Sequence, residues 1–144
     1  MQSAVTNLHN MPSDEKSPRR RLLILERNPH VRDTCGEALE RFNCDLYSTA
    51  FVENIDKVVS RFEPNAIVID VGLFDGDGVD LLEFVANTKP GVRFLFLAGD
   101  DNDLAESAEK LARSRGLRVE AYLPRPVDIA LLKQSLRRMA YSAE

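Results

Sequence analysis

The sequence predicts an α/β fold in which a parallel sheet is covered by helices on both faces. Short apolar runs alternate five times with segments whose apolar residues recur every three or four positions. The runs are apolar at consecutive positions, which is typical of strands buried on both faces. With 144 residues, 44% of them hydrophobic and 29% charged, the chain can form one domain with its own core.

The first half of the chain supplies three strands and two helices. We expect the strands over residues 22–25, 44–48 and 66–71. Asn28 is expected to cap the first helix, and Pro29 suits the first helical position. Helical spacing groups the apolar residues of these two helices, which are Val31, Cys35, Ala38, Leu39 and Phe42, then Val52, Ile55, Val59 and Phe62.

The second half begins with a glycine-aspartate loop over residues 72–78 and supplies three helices and two strands. We expect the strands over residues 92–98 and 119–123, with Gly116 ending the helix between them. The apolar residues of the three helices are Leu81, Leu82 and Val85, then Leu104, Ala108 and Leu111, then Ile129, Leu132, Leu136 and Met139. Five strand–helix units with right-handed crossovers place helices on both sides of the sheet.

The ends and the composition of the chain exclude several classes of protein. Residues 1–20 are polar without apolar periodicity, so we expect a flexible tail before a domain over residues 21–142. The domain is acidic, which does not suit a nucleic-acid groove. No apolar run approaches the roughly 20 residues that span a bilayer, so we expect no membrane association and a cytoplasmic location. Cys35 and Cys44 lack metal-site spacing and are expected to be free thiols.

The functional crevice of such a sheet lies where the parallel strands end. Asp70 is the most informative residue there, because a buried, unpaired carboxylate costs several kcal/mol. It must face the crevice, accept backbone hydrogen bonds or meet a cation. The alternative is an aspartate that merely caps a turn. The residues at or just past strand ends are Glu26, Arg27, Asp70, Leu97 and Arg125.

Four segments together make the chain similar to response-regulator receiver (CheY-like) domains over residues 21–141. They are residues 22–29, residues 67–70 with the loop 76–78, residues 95–98 and residues 122–126. The resemblance implies a flavodoxin-like (βα)5 three-layer sandwich with strand order 2-1-3-4-5. It also implies a non-enzymatic part in phosphorelay signalling, with a histidine kinase or phosphotransfer protein and a downstream effector as partners.

The resemblance assigns a role to individual residues. Asp70 takes the phosphoacceptor position, and Mg²⁺ would be held by Glu26, Asp70 and the backbone carbonyl of Gly72. Leu97 stands at the Ser/Thr position, Arg125 at the lysine position and Tyr122 at the aromatic switch position. A cis Arg125–Pro126 bond is also implied.

Three of these positions depart from the receiver pattern. Arg27 replaces an acidic residue, and we expect its guanidinium to point inward and stand in for the cation, which argues against Mg²⁺. Leu97 cannot donate a hydrogen bond to a phosphoryl group, and Arg125 keeps the charge of a lysine but not its shape. We therefore expect weak phosphorylation of Asp70. A phosphorylation-independent binding module is the alternative, and a flavodoxin-like cofactor binder is disfavoured because no phosphate cradle follows the first strand.

The fourth helix and its surroundings suggest partners. Residues 108–119 resemble receivers that precede EAL-type cyclic-di-GMP phosphodiesterase domains. The segment carries a basic stripe of Lys110, Arg113, Arg115 and Arg118, which either meets an acidic partner or is simply a solvated helix face. A homodimer through the fourth helix, fifth strand and fifth helix is implied by the resemblance. We expect His30 to be a surface residue.

Overall fold

The computed structural model describes residues 20–50, 53–73, 78–99 and 102–141. In these residues five strands alternate with five helices. The strands are β1 (Arg20–Leu25), β2 (Cys44–Thr49), β3 (Ala66–Asp70), β4 (Arg93–Leu97) and β5 (Arg118–Leu123). The helices are α1 (Pro29–Ala38), α2 (Ile55–Phe62), α3 (Gly78–Thr88), α4 (Asn102–Ser114) and α5 (Ile129–Tyr141).

All four strand pairings are parallel, and the strand order is β2-β1-β3-β4-β5. This confirms the flavodoxin-like (βα)5 sandwich and the order 2-1-3-4-5. Asp70 pairs in register with Leu97, and Leu97 pairs with Leu123. The carboxyl ends of β3, β4 and β5 therefore lie level with one another, which brings the turns that follow them to one edge of the sheet.

The sheet separates two apolar cores. On one face, buried residues of β1, β3 and β4 pack against α2, α3 and α4. On the other face, residues of the same strands pack against α1 and α5. Leu22, Leu23, Ile24 and Leu25 of β1 are all fully buried because successive side chains point to opposite cores. Both-face burial explains why the central strands are apolar throughout.

The strand boundaries differ from the sequence prediction by one or two residues. β3 ends at Asp70 because Val71 begins a short 3-10 turn over Val71–Leu73. β1 begins at Arg20, one residue before the expected domain start. The rest of the expected tail, residue 142 and residues 74–77 of the glycine-aspartate loop lie outside the described residues.

Helix α4 buries part of the face that we expected. Ala108 is buried, as expected, together with Ala105 and Ala112, whereas the expected Leu104 is 38% exposed. Alanine side chains are small, so this face of the helix can pack closely against the sheet. Leu111 lies partly buried at the edge of that contact.

Several smaller expectations are confirmed. Cys35 and Cys44 are buried free thiols. Arg125–Pro126 is a cis peptide bond, and His30 is exposed. Asn28 caps α1 through its side-chain oxygen, which accepts from the His30 backbone N–H at 2.8 Å. Among the described residues, no helix has the length and apolar character needed to cross a membrane.

Candidate functional site

A cavity of about 490 Å³ opens at the carboxyl ends of β1, β3, β4 and β5. The turn after β1 supplies one wall, and the turns after β4 and β5 supply the others, because the strand register brings these turns together. The residues that line the cavity include Glu26, Arg27, Asp70, Ala98 and Arg125.

Asp70 lies at the base of this cavity with its side chain 4% exposed. Its Oδ2 atom accepts a hydrogen bond from Arg27 Nε at 2.9 Å. Its Oδ1 atom accepts from the Gly72 backbone N–H at 2.8 Å and from Arg27 Nη2 at 3.4 Å. The buried carboxylate is thus stabilised both by a cation and by a backbone donor, which were two of the three possibilities left open by the sequence.

Arg27 points into the site, as expected, and forms a two-pronged ion pair with Asp70. About half of its side chain remains exposed, at 45%. The guanidinium lies directly over Gly72. A Cβ atom built on Gly72 would come within 2.1 Å of Arg27 Nη2, so a glycine is needed here to admit the guanidinium.

Glu26 is buried beside the ion pair, and its carboxyl is within hydrogen-bonding contact of Asp70. Burial raises the pKa of Glu26 from 4.5 to about 7, and the negative charge of Asp70 adds to this rise. The Asn28 backbone N–H, which donates to Glu26 Oε2 at 2.9 Å, and the Arg27 charge oppose it. Glu26 therefore holds a proton to higher pH than an ordinary glutamate does.

The turn that carries Glu26 and Arg27 is held by hydrogen bonds from Arg32 of α1. Arg32 Nη1 donates to the Glu26 carbonyl at 2.6 Å and to the Arg27 carbonyl at 3.1 Å. These two hydrogen bonds link the backbone of the turn after β1 to the first part of the helix. The two site side chains therefore start from an anchored backbone.

These residues do not fit a magnesium ion. Mg²⁺ prefers ionised oxygen ligands in octahedral geometry. Both oxygens of Asp70 already accept hydrogen bonds from Arg27, and Glu26 binds a proton more readily than an ordinary glutamate. Within the described ranges, no group of three His, Cys, Asp or Glu residues is placed to hold a metal ion.

At the end of β4, Leu97 lies in the core, whereas the next residue, Ala98, lines the cavity. Leu97 is almost completely buried in the core beneath α1 and α5. Ala98 and Gly99 line the cavity instead. Neither a leucine nor an alanine side chain can donate a hydrogen bond, so both side chains are apolar at this end of the strand.

Sequence reasoning missed the role of Gly99. A Cβ atom there would come within 2.9 Å of the Gly72 backbone and 3.0 Å of Asp70 Oδ1. The turns after β3 and β4 therefore touch at their glycines. A glycine two residues past a strand end was the available signal, since glycine often marks a close approach of two backbones.

Arg125 and Tyr122 lie on the β5 side of the site. Arg125 lines the cavity, and its backbone N–H donates to Asn102 Oδ1 at 2.9 Å, which links the β5 turn to the start of α4. Tyr122 is partly buried against the core beneath α2, α3 and α4. The switch role of Tyr122 and the lysine-like role of Arg125 stay predictions.

The basic stripe of the fourth helix is largely neutralised within the chain. Lys110 pairs with Glu106, and Arg113 pairs with Glu109 at 2.9 Å, each one helical turn away. Arg115 pairs with Glu83 of α3 at 2.6 Å. These contacts favour the solvated-face interpretation over a surface that attracts an acidic partner.

Comparisons with known proteins agree with this architecture. No protein-family model matches the chain. The transcriptional regulatory protein CitB of Klebsiella pneumoniae is 28% identical over 120 residues, which are 82% of this chain. The chain spans about half, 49%, of the length of that relative.

Solved structures give the clearest match. A response regulator from Colwellia psychrerythraea superposes with a TM-score of 0.68 at 20% identity, covering 85% of this chain and 97% of that chain. The REC domain of AraT, a response regulator from Geobacillus stearothermophilus, gives a TM-score of 0.67 at 19% identity, covering 85% and 93%. The chain therefore has the fold of response-regulator receiver domains, with Asp70 at the base of the cavity where its parallel strands end.

Proposed function

We propose that the chain is a cytoplasmic receiver module of two-component signalling in which Asp70 holds the phosphoacceptor position and reacts slowly. Its phosphoryl donor would be a histidine kinase or a phosphotransfer protein, and its output a downstream effector protein. The observation that carries this proposal is the Arg27–Asp70 ion pair at the base of the cavity. The receiver fold and the similarity to CitB support the signalling role.

The ion pair bears directly on reactivity. In phosphoryl transfer from a phosphohistidine, a lone pair of an Asp70 oxygen forms the new O–P bond while the P–N bond breaks and the imidazole keeps the electron pair. Both oxygens accept hydrogen bonds from the Arg27 guanidinium, which withdraws electron density and makes each oxygen a weaker nucleophile. A missing side-chain hydroxyl at the end of β4 removes a further stabilising contact, worth about 1.5–3 kcal/mol for a charged acceptor. Slow reaction follows from both features.

We also propose domain bounds and a dimer surface for this chain. We place the receiver domain over residues 21–142 after a tail over residues 1–20, and we place a homodimer surface on α4, β5 and α5. The resemblance of residues 108–119 to EAL-associated receivers supports a relationship between this chain and those receivers. In receiver domains generally, Mg²⁺ assists the transfer, and the tight ion pair of this chain argues that it does not do so here.

A second candidate function is a binding module that works without phosphorylation. The same ion pair favours it, because Arg27 neutralises Asp70 much as a bound cation would. In that case the partner would recognise the resting form of the chain, and substitutions that prevent phosphorylation would leave partner binding unchanged.

Acetyl phosphate separates the two candidates. The wild-type chain is incubated with it, with and without Mg²⁺, and mass spectrometry follows the gain of about 80 Da that marks one phosphoryl group. Slow labelling that disappears in Asp70→Asn supports the receiver function. The absence of labelling at any phosphodonor concentration supports the binding module.

Two variants test the explanation of slow labelling. Arg27→Asp, alone and with Ala98→Thr, should raise the labelling rate because it releases Asp70 and places a side-chain hydroxyl in the cavity. Arg41→Asp makes the same charge change on an exposed residue beyond the far end of α1 and should leave the rate unchanged. Equal rates in all variants would contradict the role given to the ion pair.

A further inference from the structure

We propose that the Arg27 guanidinium occupies the place of the divalent cation in this chain, so that the site carries its own fixed cation and is insensitive to Mg²⁺. The inference deepens the proposed function, and it rests on that function in locating the receiver cation position beside Asp70. Mg²⁺ binding to the chain can be measured without any phosphodonor.

The contacts of the guanidinium are those that a bound cation would make. Nε contacts one Asp70 oxygen at 2.9 Å and Nη2 contacts the other at 3.4 Å. The Gly72 N–H donates to the same carboxylate at 2.8 Å. A metal ion would therefore have to approach a carboxylate that already accepts three hydrogen bonds and lies beside the positive guanidinium.

The space for the guanidinium is built into the turn after β3. A Cβ atom on Gly72 would lie 2.1 Å from Arg27 Nη2 and 2.7 Å from Arg27 Cζ. Any other residue at position 72 would displace the guanidinium. The arginine and the glycine thus form a matched pair on two different strand ends.

Electrostatics keeps the arginine in the site. The Asp70 side chain is 4% exposed, and a buried carboxylate that loses a paired cation is strongly destabilised. The Arg27 backbone is held through its carbonyl by Arg32. Because Mg²⁺ carries two charges, its repulsion by a guanidinium about 4 Å away should weaken Mg²⁺ binding by roughly 1,000-fold or more.

Direct titration of the full chain with MgCl₂ tests this proposal. Thermal unfolding and isothermal titration calorimetry are measured for the wild type, Arg27→Ala, Arg27→Gln, Arg27→Lys and the surface control Arg41→Ala, with NaCl of equal ionic strength as the salt control. We expect no saturable Mg²⁺ effect in the wild type, in Arg27→Lys or in Arg41→Ala. We expect Arg27→Ala and Arg27→Gln to gain a saturable Mg²⁺ effect that Asp70→Asn abolishes.

Three outcomes decide the matter. Saturable Mg²⁺ binding by the wild type that disappears in Asp70→Asn overturns the proposal. The same is true if no variant gains Mg²⁺ binding, because something other than Arg27 then excludes the ion. Gain of binding in the neutral variants alone supports it. Phosphorylation assays do not enter these measurements, so failure here is distinct from failure of the proposed receiver function.

Discussion

Arg27 and Gly72 depend on each other at the scale of single atoms, and this dependence can be tested from the glycine side. We expect Gly72→Ala to expel the guanidinium, because the new methyl group would overlap Arg27 Nη2 while the long arginine side chain can swing out to solvent. The variant should acquire the Mg²⁺ response expected of Arg27→Ala, measured as an increase in melting temperature on adding MgCl₂.

The chain offers a matched control for that substitution. A Cβ atom on Gly91, in the turn before β4 at the other end of the sheet, would meet no atom within 4 Å. Gly91→Ala should therefore leave both the melting temperature and its independence of Mg²⁺ close to the wild type. A Gly72→Ala protein that behaves like Gly91→Ala would contradict the close packing described here.

Glu26 makes a second residue-scale prediction, which concerns pH. The folded state raises the pKa of Glu26 to about 7 from 4.5, so the folded chain holds a proton that the unfolded chain releases. The stabilising contribution of that proton is complete below about pH 4.5 and is lost as the pH rises towards 7. The slope is at most about 1.4 kcal/mol per pH unit.

Chemical denaturation of the wild type and of Glu26→Gln between pH 5 and pH 8 measures this contribution. Glutamine keeps an oxygen that can accept from the Asn28 N–H, and it does not titrate. The free energy of unfolding of the wild type should fall relative to that of the variant as the pH rises. Parallel curves would show that Glu26 has an ordinary pKa.

The residues of the site divide into those that sequence reasoning can find and those that it cannot. Asp70 is recognisable because a carboxylate ends an apolar strand, and Arg27 is recognisable because it follows Glu26 just past the end of β1. The sequence signal for Gly99 was weak and Ala98 had none, because their importance lies in contacts between turns far apart in the sequence.

At the scale of secondary structure, helix α1 begins with a cap that also supports the site. Asn28 donates its backbone N–H to Glu26 and accepts from His30 through its side chain. Asn28→Ala should lower the free energy of unfolding by about 1 kcal/mol, because only the side-chain cap is lost. Asn28→Ser keeps a capping oxygen and should stay near the wild type in urea denaturation, and equal losses in both variants would contradict the capping role.

The elements also show where sequence patterns mislead. Apolar runs located β1, β3 and β4 to within two residues because both faces of these strands are buried. For α4, the pattern found the buried Ala108 and the partly buried Leu111, but it missed Ala105 and Ala112 and included Leu104, which is 38% exposed. Hydrophobicity alone does not record how near two elements can approach.

At the scale of the whole molecule, the strand order predicts a gradient of local stability. β1, β3 and β4 are paired on both sides, whereas β2 and β5 are the edges, and most residues of β5 are only partly buried. Amide hydrogen exchange should be slowest in β1, β3 and β4 and faster in β5. Protection of β5 equal to that of β3 would indicate that another chain covers this edge.

The overall architecture follows from the sequence more readily than the site does. Alternating strand and helix signals are enough for a parallel, doubly covered sheet, and the receiver resemblance supplied the order of strands. The orientation of a side chain such as Arg27 depends on a few contacts among charged groups, which no periodicity encodes. That is why its direction required the structure.

The ion pairs of α4 have a consequence for how any partner would recognise this side of the molecule. Lys110, Arg113 and Arg115 are each matched by a glutamate of the same chain, so little field extends from them into solvent. Attraction at long range accelerates encounters only where charge is left uncompensated. A protein that docks on these residues would be recognised by shape complementarity. Added salt should hardly slow its association rate.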